Sequence, residues 1–303
     1  MLEIDMSQIP ELSNFKEITK IHKGYSGDDK YIVQLNENDQ LLLLKTFNLD
    51  LLESKKCEYM ILQKMQNIGI KCSRPINIGS FQDKGYMITS YLDGNDAENH
   101  LLICSEEEQF AIGIEAGNQL KKMHQLQAPE NIDSWYDRKL KKHRNYINAY
   151  LKSGITIEND EKIIQFIEEN LYHMKNRPNL FQHDDFHPGN LIIQDNKLAG
   201  VIDFNRYDWG DPIHEFLKLG IFSREVSIPF SNGQIIGYFG DEEPDDHFWR
   251  LYSLYLAMCV FSSVVWTIKA VPEEIDSMLT KIYIFLEDHN YFSDIKPKWY
   301  SQL

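Results

Sequence analysis

A chain of 303 residues is long enough for one large domain or for two lobes, each with a substantial core. Its 43% hydrophobic and 25% charged residues argue against disordered and fibrous classes. Its net charge of −15 argues against nucleic-acid binding, which needs a Lys/Arg surface, and is compatible with a cationic substrate.

Cys57, Cys72, Cys104 and Cys259 stand far apart, without C-x-x-C or zinc-finger spacing. That usage points to a reducing, cytoplasmic setting rather than a disulfide framework or structural zinc. The opening residues, MLEIDMSQIPELSNF, carry acids early and no apolar run, so no secretory signal is expected.

In chain order, Glu17–Lys23 and Lys30–Asn36 are short β-prone runs joined by GYSGDD, and ENDQ then turns the chain into LLLLKTF. Leu52–Asn67 has helical spacing, with Gly69 as its stop. Two more strands are expected around Ile76–Ser80 and Tyr86–Leu92, and Asp93–Asp96 reads as a linker. Ser105 before three glutamates is a helix-capping arrangement. Further helices are expected near 137–152 and 159–176, then a hairpin, LIIQ-DNK-LAGVIDF. Asp211 and Pro212 fit an N-cap and a first helical residue, and the last hundred residues read as helices. Within them, Leu251–Ile268 runs 18 residues without a charge. That touches the length of a membrane span, but the serines in it and the DEEPDD before it favour a buried core helix and no membrane partner. The outline is α+β: residues 1–92 as a small antiparallel sheet plus helix, and 93–303 as a larger, mostly helical lobe.

The sharpest signal is FQHDDFHPGNLII followed by GVIDF. A loop presenting Asp185 and then Asn190 places a proton acceptor near a metal ligand, and the hairpin from Leu191 returns Asp203 toward the same place. Phosphoryl transfer needs such a set: a carboxylate that orients the attacking hydroxyl, and hard oxygen ligands that hold Mg2+ on the phosphates. No zinc-protease helix, nucleophile elbow or P-loop lysine competes with it.

HDDFHPGN with VIDF resembles the catalytic and metal-binding segments of the aminoglycoside phosphotransferase family, relatives of the protein kinases. The resemblance covers about Lys20 to Phe222. It implies a two-lobed protein-kinase-like fold, ATP or GTP as donor, Mg2+, catalytic Asp185, and Asn190 and Asp203 as metal ligands. It further implies that Lys45 grips the nucleotide phosphates with Glu58 as its ion-pair partner, Glu53 being the rival, and that Ser26 belongs to the phosphate-covering loop. Backbone groups of Ser90 and Leu92 would meet the nucleotide base. His124, His183 and Asp211 fit the family as scaffold, and His187 reads as structural rather than nucleophilic.

Two departures stand out. Asp184 occupies a position where the family more often has Gly, and either raises the pKa of Asp185 by like-charge coupling or points to solvent. Asn205 replaces the glycine of D-F-G, and no A-P-E follows, which disfavours protein-kinase activity.

The resemblance implies a small-molecule acceptor without fixing it. The acidic balance favours a cationic aminoglycoside, with Asp184, Asp208, Glu215 and the 241–246 carboxylates as its contacts. Alternatives are a macrolide, bound by aromatic residues near 248–266, a choline-like metabolite, or a kinase-fold binding protein without turnover.

Overall fold

The computed structural model describes residues 9–22, 27–36, 39–240 and 242–300. The chain forms two compact units, Met1–Gly94 with Ala199–Asn205, and Asn95–Leu198 with Arg206–Leu303. The boundary expected after residue 92 thus falls after Gly94, and the short segment around Asp203 belongs with the first unit rather than the second.

In the first unit, five antiparallel strands follow from alternating apolar residues. They are β1 (Phe15–Ile21), β2 (Asp29–Leu35), β3 (Leu41–Asn48), β4 (Pro75–Phe81) and β5 (Lys84–Ser90). The sheet order is β1-β2-β3-β5-β4. Val33, Leu42, Leu44 and Ile88 turn to one face and pack with Ile9, Leu12 and Tyr31. The helix α1 (Leu52–Asn67) packs on β4 and β5 and buries Ile61, Leu62 and Met65. It also buries Lys55 and Glu58, which burial would penalise heavily without partners.

The second unit is mostly helical. The residues read as a linker instead form the short strand β6 (Asn95–Asp96), and Asp96 caps α2 (Ala97–His100) by accepting from the Asn99 N–H. The capping box that opens α3 (Glu106–Met123) is present: the Glu108 N–H donates to Ser105 Oγ at 3.2 Å, and the Ser105 N–H to Glu108 Oε2 at 2.9 Å. α4 (Trp135–Tyr150) and α5 (Asp160–Asn170) follow, then strands β7 (Leu180–Gln182), β8 (Leu191–Gln194), β9 (Lys197–Val201), whose residues from Ala199 on belong with the first unit, and β10 (Asp208–Gly210). β6 pairs with β8, and β7 with β10, where Trp209 lies opposite Phe181. Pro212 does start a helical segment capped by Asp211, but Pro212–Phe216 is a 3-10 turn.

The remaining helices are α6 (Arg224–Val226), α7 (Ile228–Phe239), α8 (Asp246–Ala270) and α9 (Ile275–Asp288). α3 and α7 cross at four glycines, Gly113 and Gly117 against Gly233 and Gly237. A methyl added at any of them would overlap the facing helix backbone, so only glycine permits this approach. α8 is long and apolar enough to cross a membrane, yet 83% of its most apolar window is buried inside the protein. It lies packed along α4, α5 and α9, as a helix apolar all round does in a large core.

Candidate active site

The first unit holds a buried network of charges. Lys45, on β3, reaches Glu58 Oε1 on α1 at 2.9 Å, and the two residues are 8% and 3% exposed. The rival Glu53 pairs with Lys56 at the surface. Glu58 uses its second oxygen for Lys55 Nζ at 3.3 Å, and Lys55 Nζ also meets Asp28 Oδ2 at 2.5 Å. Burial alone would lower the Lys45 pKa. The negative charges of Glu58, Asp203 and Asp28 outweigh it and raise it above the ordinary lysine value. Burial likewise works against the Glu58 carboxylate, but Lys45 and Lys55 hold its pKa below the usual range. Asp203 sits in the left-handed backbone region at φ 67°. Its charge acts on Lys45 within the same unit. Neither Lys55 nor Asp28 was anticipated from the sequence; the one available signal was Lys55 at i−3 from Glu58.

Ser26 lies outside the described residues, as does Asp241. Ser90 donates its N–H to the Arg74 carbonyl at 2.8 Å and accepts from the Arg74 N–H through its hydroxyl at 2.8 Å. Its N–H is thus engaged, which leaves its carbonyl as the backbone group for the expected contact with the base. Leu92 follows the end of β5.

In the second unit, β7 feeds the loop from His183 to Asn190, and β8 takes the chain away from it. The loop is anchored from behind by Glu215. This carboxylate accepts the Asp184 N–H at 3.1 Å and the Phe186 N–H at 3.3 Å, one on each side of Asp185. Glu215 is 1% exposed. Its burial is offset by His124 and His183 and by the Asp184 N–H, which together lower its pKa. His124 stands 4.0 Å from it and bonds the Tyr238 hydroxyl through its other ring nitrogen at 2.9 Å. The expectation that Glu215 contacts the acceptor is corrected accordingly, since its oxygens hold the loop instead.

Asp185 itself is only part-buried. Its Oδ1 accepts from Lys218 Nζ at 2.8 Å, and its Oδ2 from Asn190 Nδ2 at 3.2 Å. His187 Nε2 and Arg206 Nη1 stand 3.7 and 3.8 Å away. Burial opposes ionisation, but His187 and Lys218 overcome it and hold the carboxyl far below the usual range. Of the two outcomes expected from Asp184, a raised Asp185 pKa is therefore corrected. The raised group is Asp184 itself, through burial and the neighbouring Glu215 charge. Its carboxylate lies 3.6 Å from His214 Nδ1 and is only 25% exposed, so it does not simply face solvent.

Asn190 Nδ2 also donates to the Asp185 carbonyl at 2.9 Å. With its nitrogen fixed there, its amide oxygen is the end left for a hard cation. Asp208, a third exposed, accepts from Arg138 Nη1 at 3.0 Å and from the Trp209 N–H at 2.7 Å, both through Oδ1. Asp211 accepts Arg177 through two bonds of 2.7 and 2.8 Å and the Tyr255 hydroxyl at 2.7 Å. That fixes the segment leading to Glu215. Lys218 escaped the sequence reading because it lies in a helical run, LGIFS and its flank, with nothing to mark it as facing the loop.

A unit with a small antiparallel sheet and a buried Lys–Glu pair, together with a helical unit presenting Asp185 and Asn190, defines a kinase-type phosphotransferase. The chain belongs to the phosphotransferase enzyme family APH, whose model matches residues 17–252. No curated protein sequence matches it. It is similar to ADP-bound aminoglycoside phosphotransferase APH(2'')-Ib, at 19% identity and TM-score 0.60, covering 89% of this chain and 95% of that one. It is also similar to APH(2")-IIa in a ternary complex with streptomycin and ATP, at 19% identity and TM-score 0.62, over 93% of this chain and 99% of that one. A thermostable mutant of APH(4)-Ia, in a ternary complex with AMP-PNP and hygromycin B, matches at 12% identity and TM-score 0.69. That match covers 92% of this chain and 96% of the other. At such identities the likeness speaks for the fold.

Proposed function

We propose that the chain transfers the γ-phosphoryl group of ATP or GTP to a hydroxyl of a small molecule, in the cytoplasm. The observation that carries this reading is Asp185: ionised, cradled by Lys218 and Asn190, and fixed by Glu215 through the N–H groups on either side. The nucleotides named with the similar structures support the choice of donor. The four cysteines, all free, support a reducing compartment.

In the reaction, the acceptor oxygen forms a bond to the γ-phosphorus while the bond from that phosphorus to the β–γ bridging oxygen breaks. The electron pair leaves with the nucleoside diphosphate. The hydroxyl proton passes to Asp185 Oδ. A carboxylate held so far below its usual pKa is a weak base, so its main work is to orient the hydroxyl and to take the proton late. Lys45, kept charged by Glu58 and Asp203, would bind phosphate oxygens. Asn190 and Asp203 are the residues that would hold magnesium, which when bound neutralises charge on the transferring phosphates. Among the described residues no group of three or more His, Cys, Asp or Glu is placed to hold a metal. That suits a cation completed by phosphates and water.

The test is nucleotide binding with and without magnesium. Asp203→Ala should lose magnesium-dependent binding more severely than Asn190→Ala, because a carboxylate brings full charge and an amide only a dipole. Equal magnesium affinity in wild type and Asp203→Ala would remove the assignment.

For the acceptor, an aminoglycoside is the reading that the streptomycin and hygromycin B complexes of similar proteins support. A second reading, an acidic acceptor, is favoured by the groups that surround Asp185.

A further inference from the structure

The chain as a whole is acidic, with 46 Asp and Glu against 31 Lys and Arg. In the second unit, cations gather around Asp184 and Asp185. Lys218 touches Asp185 at 2.8 Å, and Arg206 stands at 3.8 Å with its guanidinium over the Trp266 ring. Beyond Asp184, His214 links to Lys139, whose Nζ is 2.6 Å from His214 Nε2. Lys142 follows Lys139 by three residues on α4, so the two share a face. Its charge reaches Asp184, His214 and Lys139. Lys139 is crowded enough that burial and Lys142 push its pKa down to about 8.

Lys142 also lines a pocket of about 270 Å³ with Asn145, Tyr146, Ala149, Val265 and Lys269. Two ammonium groups, an amide and a phenol face this space, and no carboxylate lines it. Of the acids that a polycationic acceptor could use, Glu215 is committed to the loop and Asp208 is paired through one oxygen with Arg138. A polyamine placed here would meet the like charges of Lys218, Lys139, Lys142 and Lys269, set against the acids Asp184, Asp185, Asp208 and Glu215.

We infer that the acceptor is an anionic hydroxyl compound, its carboxylate or phosphate seated between Lys142 and Lys269 and its reacting hydroxyl at Asp185. Asn145 and Tyr146 are the neutral donors in the same pocket, suited to the remaining anionic oxygens. This inference rests on the kinase reading and changes only the class of acceptor.

The experiment gives the intact protein ATP or GTP with four probes: gluconate, glycerol phosphate, neutral glucose and kanamycin. Binding is measured by calorimetry and transfer by mass spectrometry. Gluconate and glycerol phosphate separate a carboxylate from a phosphate requirement. At least one of them should bind and be phosphorylated in preference to glucose and kanamycin, and its KM should rise with added salt. The Lys142→Glu and Lys269→Glu exchanges should weaken that probe about three- to tenfold each and narrow its advantage over kanamycin. The inference is overturned if kanamycin is the preferred acceptor. It is also overturned if neither acid binds at millimolar concentration, or if both charge reversals leave acid binding unchanged. The kinase reading is checked separately, by magnesium-dependent nucleotide binding in wild type and its loss in Asp203→Ala. An acceptor result against the inference leaves that readout standing.

Discussion

Asp185 is fixed by contacts on both of its faces, and each contact makes a different forecast. Replacing Asp185 with Ala should cut turnover by roughly 10²–10⁴ and spare nucleotide binding, as loss of a positioned base does. Near wild-type turnover would remove it from the mechanism. Glu215→Gln keeps the shape but loses the charge that receives the Asp184 and Phe186 N–H groups. Turnover should fall by roughly 10–100-fold with little change in nucleotide affinity, as for other groups that orient a functional residue. A matched rise in nucleotide KM would contradict a role confined to the loop. His143 gives a pH test. It is 3% exposed, and burial with Lys139 and Arg144 pushes its pKa from the ordinary 6.5 down to about 4. Between those values the unfolded chain binds the proton and the folded chain does not, so stability falls as pH falls through that window. The difference corresponds to at most roughly 3 kcal/mol. Denaturant midpoints of His143→Gln should depend less steeply on pH there, and an unchanged slope would show that His143 does not carry the effect. At this scale the Lys45–Glu58 ion pair was legible through the family resemblance, and the Asp185–Asn190 loop through its motif. Lys218, Lys55 and Asp28 were not, because their meaning comes from neighbours distant in the chain.

Among the elements, the sequence conveyed what has a period or a stop signal. β1 to β5, α1, the capping box of α3 and the buried α8 all follow from alternation, helical spacing or charge-free length. β6, β7 and β10 were missed, since strands of two or three residues carry no periodicity and exist only through their partners. The α3–α7 crossing was also present in the letters, as GIEAG and GQIIG, but the facing of the two glycine pairs is a tertiary fact. It predicts that Gly117→Ala, which forces a methyl against the Gln234 backbone, destabilises the protein by about 1–3 kcal/mol. Gly27→Ala, where a methyl meets nothing within 4 Å, should leave the melting temperature nearly unchanged. Equal melting temperatures for the two variants would show that the helices can part without cost.

For the molecule as a whole, net charge and the cations near Asp185 point to different acceptors. The value of −15 sums every charge in the chain, whereas Asp184 and Asp185 have Lys218, Arg206, Lys139 and Lys142 among their neighbours, with Glu215 as a further acid. Composition averages over a surface, and recognition uses a small part of it. The fold and the chemistry, by contrast, were readable because HDDFHPGN and VIDF combine local spacing with a requirement for hard oxygen ligands. The central claim, that the chain is a small-molecule kinase acting through Asp185, is tested most directly by following γ-labelled ATP or GTP. The label should pass from the nucleotide to a small-molecule hydroxyl in the presence of wild-type protein, with transfer all but lost in Asp185→Ala. Label that stays on nucleotide or inorganic phosphate alone, in equal amounts for both proteins, would contradict it.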